Sequence, residues 1–130
     1  MYYPSPKILL SNRTGAWSAD ESDDARPWIR ANFDGAKRVS SITTQGHPDA
    51  DEWVTSYIVV YRHPSGTVHS VKGSNGRAFQ FKANTDRNTA VTNSMPDGVV
   101  ATDVRLYPYW WKGRHVSMRF MVQGCDYVGK

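Results

Sequence analysis

Cysteine occurs once among the 130 residues, at Cys125. A single thiol excludes an internal disulfide and any zinc site built on cysteine pairs, and by itself it reads as a buried apolar side chain. No apolar run approaches the roughly 20 residues that a membrane-spanning helix needs. The first residues, Met1-Tyr2-Tyr3-Pro4-Ser5-Pro6, lack the charged start and apolar stretch of a secretory leader. The chain is therefore expected either to work in the cytosol or to be a piece of something longer. Lysine and arginine total 16 against 12 acidic residues, a net charge of +4, yet no run gathers the cations into a patch. Phosphate contacts need clustered cations, so nucleic acid is not expected as a partner. The histidines, His47, His63, His69 and His115, fall on separate segments, and none accompanies a serine or cysteine motif. Without a nucleophile beside a base, or a cleft around the Asp49–Asp51 pair, the chain is not read as an enzyme.

What remains is a composition suited to one globular core over residues 1–130. Apolar residues make up 39% and charged residues 22%, which excludes disorder as well as membrane burial. No stretch of eleven or more residues carries a helical stripe, whereas several alternate with period two. From Trp28 to Asp34, Ile29, Ala31 and Phe33 share a face. From Ala101 to Tyr107, Thr102, Val104 and Leu106 lie opposite Asp103 and Arg105. From His115 to Gln123, Val116, Met118, Phe120 and Val122 align, with Ser117 and Arg119 turned away. Val54 to Arg62 is apolar on both faces, as a central strand is. Arg38 to Thr44, Thr67 to Val71 and Ala78 to Lys82 are shorter strand candidates. Short strands broken by Gly and Pro turns predict an all-β sandwich or jelly-roll-like barrel with binding residues on loops at one end.

A set of motifs in fixed order narrows this further. Gly15-Ala16-Trp17-Ser18 precedes Pro27-Trp28-Ile29-Arg30-Ala31-Asn32-Phe33. Val39 to Gly46 ends in Thr-Thr-Gln-Gly and leads to Asp49-Ala50-Asp51-Glu52-Trp53-Val54-Thr55-Ser56-Tyr57. Asn84-Thr85-Asp86-Arg87-Asn88-Thr89, Val104-Arg105-Leu106-Tyr107-Pro108, His115 to Phe120 and Gln123-Gly124-Cys125 complete the series. Residues 8 to 125 so arranged resemble the discoidin domain, also called the coagulation factor 5/8 type C domain. The resemblance implies a distorted jelly-roll barrel of antiparallel strands and non-catalytic adhesion work outside the cell or at its surface. It implies a galactose-type sugar, a phosphatidylserine membrane, collagen or a peptide growth factor as ligand, held by loops at one end. Four features depart from the family pattern. The expected first strand with its ligand-facing loop, and the N-terminal cysteine that partners the counterpart of Cys125, are both lacking. His47 stands where sugar-binding members often have arginine, and Asn32 and Met121 stand where the family usually has acids. Without the disulfide the expected loss is about 2–5 kcal/mol.

Two loops are predicted at the binding end, Ser11 to Trp17 and His47 to Trp53. In the second, Asp49, Asp51 and Glu52 would accept hydrogen bonds from sugar hydroxyls, while the indole of Trp53 covers the C–H face of a pyranose. Asn12 and Arg13 would supply donors from the first loop. Trp17 closes that loop and belongs with the site, although for both Trp17 and Trp28 core packing is the plainer expectation. Asp49, Asp51 and Glu52 are also hard oxygen donors, so calcium stands as the alternative to no cofactor, though their spacing is not that of an EF-hand. A phospholipid surface is the second ligand reading, weakened by the acidic loop, and a protein ligand is the third. Asn12-Arg13-Thr14 is an N-glycosylation sequon that a glycan could occupy in a secreted chain. Trp110-Trp111 is expected to close the barrel between the last strands, with one indole exposed.

Overall fold

The computed structural model describes the backbone of residues 8–20 and 28–128 and the side chains of 28–128. Among these residues eight strands follow in order: β1 (Ile8–Asp20), β2 (Ile29–Gln45), β3 (Trp53–Arg62), β4 (Val68–Ser70), β5 (Phe81–Lys82), β6 (Val91–Ser94), β7 (Val100–Lys112) and β8 (His115–Asp126). Every pairing is antiparallel, and the order is β1-β8-β2-β7-β3-β4, with β5 on β3 and β6 on β2. The all-β architecture predicted from the alternation is therefore what the chain forms, as one curled antiparallel sheet of the jelly-roll kind.

The period-two pattern builds the core. Val104 and Leu106 of β7, and Val116, Met118 and Val122 of β8, are fully buried, and Val54, Tyr57 and Val59 of β3 meet them. Burying side chains of this size stabilises the fold by about 1.5–3 kcal/mol each. Tyr57 stacks on Phe81 at 5.6 Å, and desolvation pushes its phenol up to about 12 against the hydrogen bond from Asn93.

Several segments depart from expectation for identifiable reasons. The predicted strands Trp28 to Asp34, from Ile29 on, and Arg38 to Thr44 belong to one bent strand, β2. It pairs with β7 first and with β8 afterwards, and its register breaks between Asn32 and Lys37. Gly35 sits in that break at φ 124°, a conformation that favours glycine. Ser11 to Trp17, expected as a loop, lies within β1, where the register with β8 breaks between Arg13 and Trp17. β7 runs on past the predicted end at Tyr107, through Trp110 and Trp111, to Lys112. Ser56 pairs with Trp110 and Tyr57 with Pro108, so Tyr109 is extra. The bulge turns Trp111 toward the core and leaves Trp110 63% exposed. Thr67 to Val71 shortens to β4, and Ala78 to Lys82 shortens to β5 plus a bridge from Ala78 to Lys72.

Two single residues also need correction. Trp28 is not in the core: it is 42% exposed on the outer face. Cys125 is free, as its solitude required, but is half-buried rather than sealed in the interior. Asn32, where an acid was expected from the family, pairs in register with Asp103. Asp103 supplies the carboxylate there, with Oδ2 3.3 Å from Arg62 Nε and Oδ1 3.8 Å from Arg105 Nε.

Leu106→Ala should remove about 2–5 kcal/mol, because a fully buried γ-branched side chain leaves a cavity in the β7 wall. The urea midpoint measures this, and an unchanged midpoint would contradict the core described.

Candidate functional site

β2 ends at Gln45, and the chain must turn sharply to enter β3 at Trp53. Gly46 permits the turn. A Cβ there would lie 2.8 Å from Trp53 Cβ, 2.9 Å from the Glu52 carbonyl oxygen and 3.0 Å from that of Asp86. The loop is closed by main-chain bonds, His47 N to Glu52 O and Glu52 N to Ala50 O, both 2.8 Å. The Asp49 amide donates to His47 Nδ1 at 3.0 Å, so His47 serves the loop's own geometry.

Glu52 fastens this loop to β8. Its Oε1 accepts from Ser117 Oγ at 2.8 Å, and Oε2 lies 3.0 Å from His115 Nδ1. The side chain is 14% exposed. Desolvation raises its pKa, but the hydrogen bonds from Ser117 and His115, with the charge of His115, outweigh burial and hold Glu52 below the ordinary 4.5. The β7–β8 turn closes on the same point. Gly113, at φ 105°, could not carry a Cβ, which would fall 2.7 Å from both the Asp51 carbonyl oxygen and Glu52 Cγ.

A third segment joins from 84–89. The Asp86 carboxylate accepts from the amides of Asn88 and Thr89 and from Thr89 Oγ1 at 2.7 Å. The Thr89 and Asn88 bonds favour its charged form and hold Asp86 below the usual range. Buried Asn84 donates to the carbonyls of Thr44 and Thr89. Arg119 of β8 then ties the segments together, donating to the carbonyl oxygens of Gly46 and Arg87 and to Asn88 Oδ1 at 2.8–2.9 Å.

On this base the exposed groups are few. Asp51 accepts from Arg87 Nε at 2.9 Å at the surface. Asp49 is exposed, and its carboxylate has no partner among the described residues. Trp53 is half-buried, with Lys112 Nζ 5.2 Å from its ring centroid. The predicted cluster of His47, Asp49, Asp51, Glu52 and Trp53 therefore sits together, but in two roles. Asp49, Asp51 and Trp53 face outward, while His47 and Glu52 hold the loop.

Asp49, Asp51 and Glu52 do not converge, and among the described residues no three His, Cys, Asp or Glu side chains are grouped to hold a metal. Asn12, Arg13 and Trp17 lie in β1, and their side chains are outside the described residues. Their backbone places Arg13 opposite Phe120, Trp17 opposite Met118 and Ser18 opposite Ser117, along the part of β8 that holds Glu52.

Sequence reasoning missed Arg87, Lys112, Gly113, His115, Ser117 and Arg119 as parts of this end. The available signal was that Ser117 and Arg119 point away from the alternating apolar face of β8. Nothing local indicated where they reached.

An antiparallel β-barrel with three chain segments locked together at one end defines a β-sandwich recognition module. Residues 1–121 match the F5/8 type C domain, and the chain belongs to that family. Retinoschisin from Takifugu rubripes is 33% identical over 126 residues, covering 95% of this chain and 44% of that protein. Discoidin II from Dictyostelium discoideum is similar in structure, with a TM-score of 0.74 and 28% identity over 87% of this chain and 42% of that one. The family 32 carbohydrate-binding module of C. perfringens NanJ shares the fold at TM-score 0.65 and 16% identity, over 91% and 92% of the two chains. The chain spans less than half the length of the retinoschisin it matches. Domains of this kind are binding modules, generally without catalysis.

The Glu52 contact makes the stability of this end sensitive to acid. Because its pKa is depressed in the folded chain, its contribution is complete above 4.5 and is lost as pH falls through the folded value. The urea midpoint should fall more steeply below that pH in the native chain than in Glu52→Gln. Parallel acid profiles for the two would contradict the assignment.

Proposed function

We propose that the chain is a non-catalytic extracellular binding module that recognises a galactose-type carbohydrate on a cell surface through its 46–53 tip. The observation that carries this is the division of labour in the loop. Glu52 and His47 fix the backbone, and the outward Asp49 and Asp51 stand beside the indole of Trp53. Carboxylates accept strong hydrogen bonds from vicinal hydroxyls, and the indole offers an apolar face to sugar C–H groups. Arg87 aims the Asp51 carboxylate and can share its oxygens with a hydroxyl. Glu52 is a positioning residue: both its oxygens are occupied by β8. Asn12, Arg13 and Trp17 are proposed to complete the rim from β1. The NanJ module, solved in complex with galactose, shares the framework at 16% identity, so the contacts proposed belong to this chain's own residues.

Calorimetric titration with galactose should give saturable binding at millimolar concentration or below. Asp49→Ala and Asp51→Ala should each weaken it about tenfold, the effect of losing one charge-assisted hydrogen bond. No binding, or Asp51→Ala indistinguishable from the native chain, would end the proposal.

One observation favours a second reading, an anionic membrane surface. Trp110 is 63% exposed on β7, two residues from Lys112 and four from Arg114, an indole flanked by cations at the same end of the barrel. Indoles suit the membrane interface, and lysine and arginine suit anionic headgroups, although Asp49 and Asp51 oppose them. Sedimentation with phosphatidylserine vesicles should then depend on Trp110. Equal recovery of the native chain with neutral and anionic vesicles would remove this reading.

A further inference from the structure

Away from the tips, the outer face of the sheet carries a second group. Arg30 and Arg105 stand opposite each other in the β2–β7 register, and Arg62 stands opposite Asp103 in the β3–β7 register. Both Arg30 and Arg105 lie over the indole of Trp28, with Cζ 5.2 Å and 5.3 Å from its centroid. The ring of Tyr107 is 6.0 Å from the same indole. A guanidinium held over a ring contacts it without using up its N–H donors. Arg105 is seven residues before Lys112 along β7, roughly 23 Å at 3.3 Å per residue, so this face is separate from the tips.

Among the described residues the charges here do not balance. Like charges directly opposite on neighbouring strands destabilise a sheet. Among the described residues this face holds three arginines and one carboxylate, Asp103, whose Oδ2 already serves Arg62 and whose Oδ1 lies nearest Arg105. Arg30 has neither an ion-pair partner nor an acceptor among the described residues. We propose that this face binds a sulfate ester carried on a glycan, independently of the tip site. The tetrahedral oxyanion takes paired N–H donors from Arg30 and Arg105, as guanidinium edges favour, and removes the repulsion between them. The exposed part of Trp28, with Tyr107, supplies an apolar surface for the attached sugar ring. A lipid phosphate has the same oxyanion chemistry, but the indole here lies under two guanidiniums instead of standing free to enter a bilayer.

The test is a titration of the full chain with a chondroitin sulfate hexasaccharide and its desulfated counterpart, using the native chain, Arg30→Gln, Arg30→Lys and Asp49→Ala. Desulfation and Arg30→Gln are each expected to weaken binding about tenfold, with Arg30→Lys between Arg30→Gln and the native chain. Binding should also weaken as salt rises. Asp49→Ala should leave it unchanged, and Arg30→Gln should leave any galactose binding unchanged, so this site and the tip site fail separately. Arg30 is exposed, so its replacement keeps the fold, which the urea midpoint checks. Equal affinity of native and Arg30→Gln chains for the sulfated sugar overturns the proposal, as does a loss produced by Asp49→Ala alone. Arg30-dependent retention on phosphatidic acid vesicles, without binding of the sulfated sugar, overturns the glycan assignment in favour of a lipid phosphate.

Discussion

A single carboxylate, Glu52, joins the turn between β2 and β3 to the start of β8, and the geometry of the barrel end depends on it. A charge this deeply placed is tolerated because Ser117 and His115 meet both of its oxygens. If either donor were lost, less would oppose the desolvation of the carboxylate, and one of the loop's two bonds to β8 would go. Arg119 repeats the device one step further along β8, using its fork of donors to hold carbonyls from two different segments. Ser117 and Arg119, two residues apart on β8, leave the strand on the same side and act as rivets through it. Recognition by short tips on a rigid barrel needs this, since an unordered loop would lose conformational entropy on each binding event.

Parts of this were legible in the chain itself. β8 was readable because alternation of large apolar and polar residues survives when one face is buried, as Val116, Met118, Phe120 and Val122 are, and β3 because it is apolar on both faces. The corner of β2 was not, because Gly35 and its neighbours read as a break between two strands when the backbone only bends there. β6 was missed because Val91-Thr92-Asn93-Ser94 has one apolar residue in four and owes its strand conformation to pairing with β2. Trp28 misled because an indole beside Ile29 looks like core. Its true neighbours, Arg30 and Arg105, come together through strand pairing across 75 residues.

The loop at 47–53 was visible as a group of acids beside an indole, but the division among them was not. Asp51 and Glu52 are adjacent and chemically similar. One meets Arg87 at the surface, and the other meets donors 63 and 65 residues ahead. Partners so distant leave no local signature, so structural and ligand-facing carboxylates look alike in sequence. The same holds for Gly113, whose need for a bare backbone arises from Asp51 and Glu52 packing against it.

Hydrogen exchange at the amides of His47 and Glu52 tests the tether most directly, since both are bonded inside the loop that Glu52 fastens. The account predicts slow exchange of both in the native chain and a marked acceleration in Glu52→Gln, while Val104 and Val122 in the barrel wall stay as protected as before. Rapid exchange of His47 and Glu52 in the native chain, or no change on substitution, would contradict it.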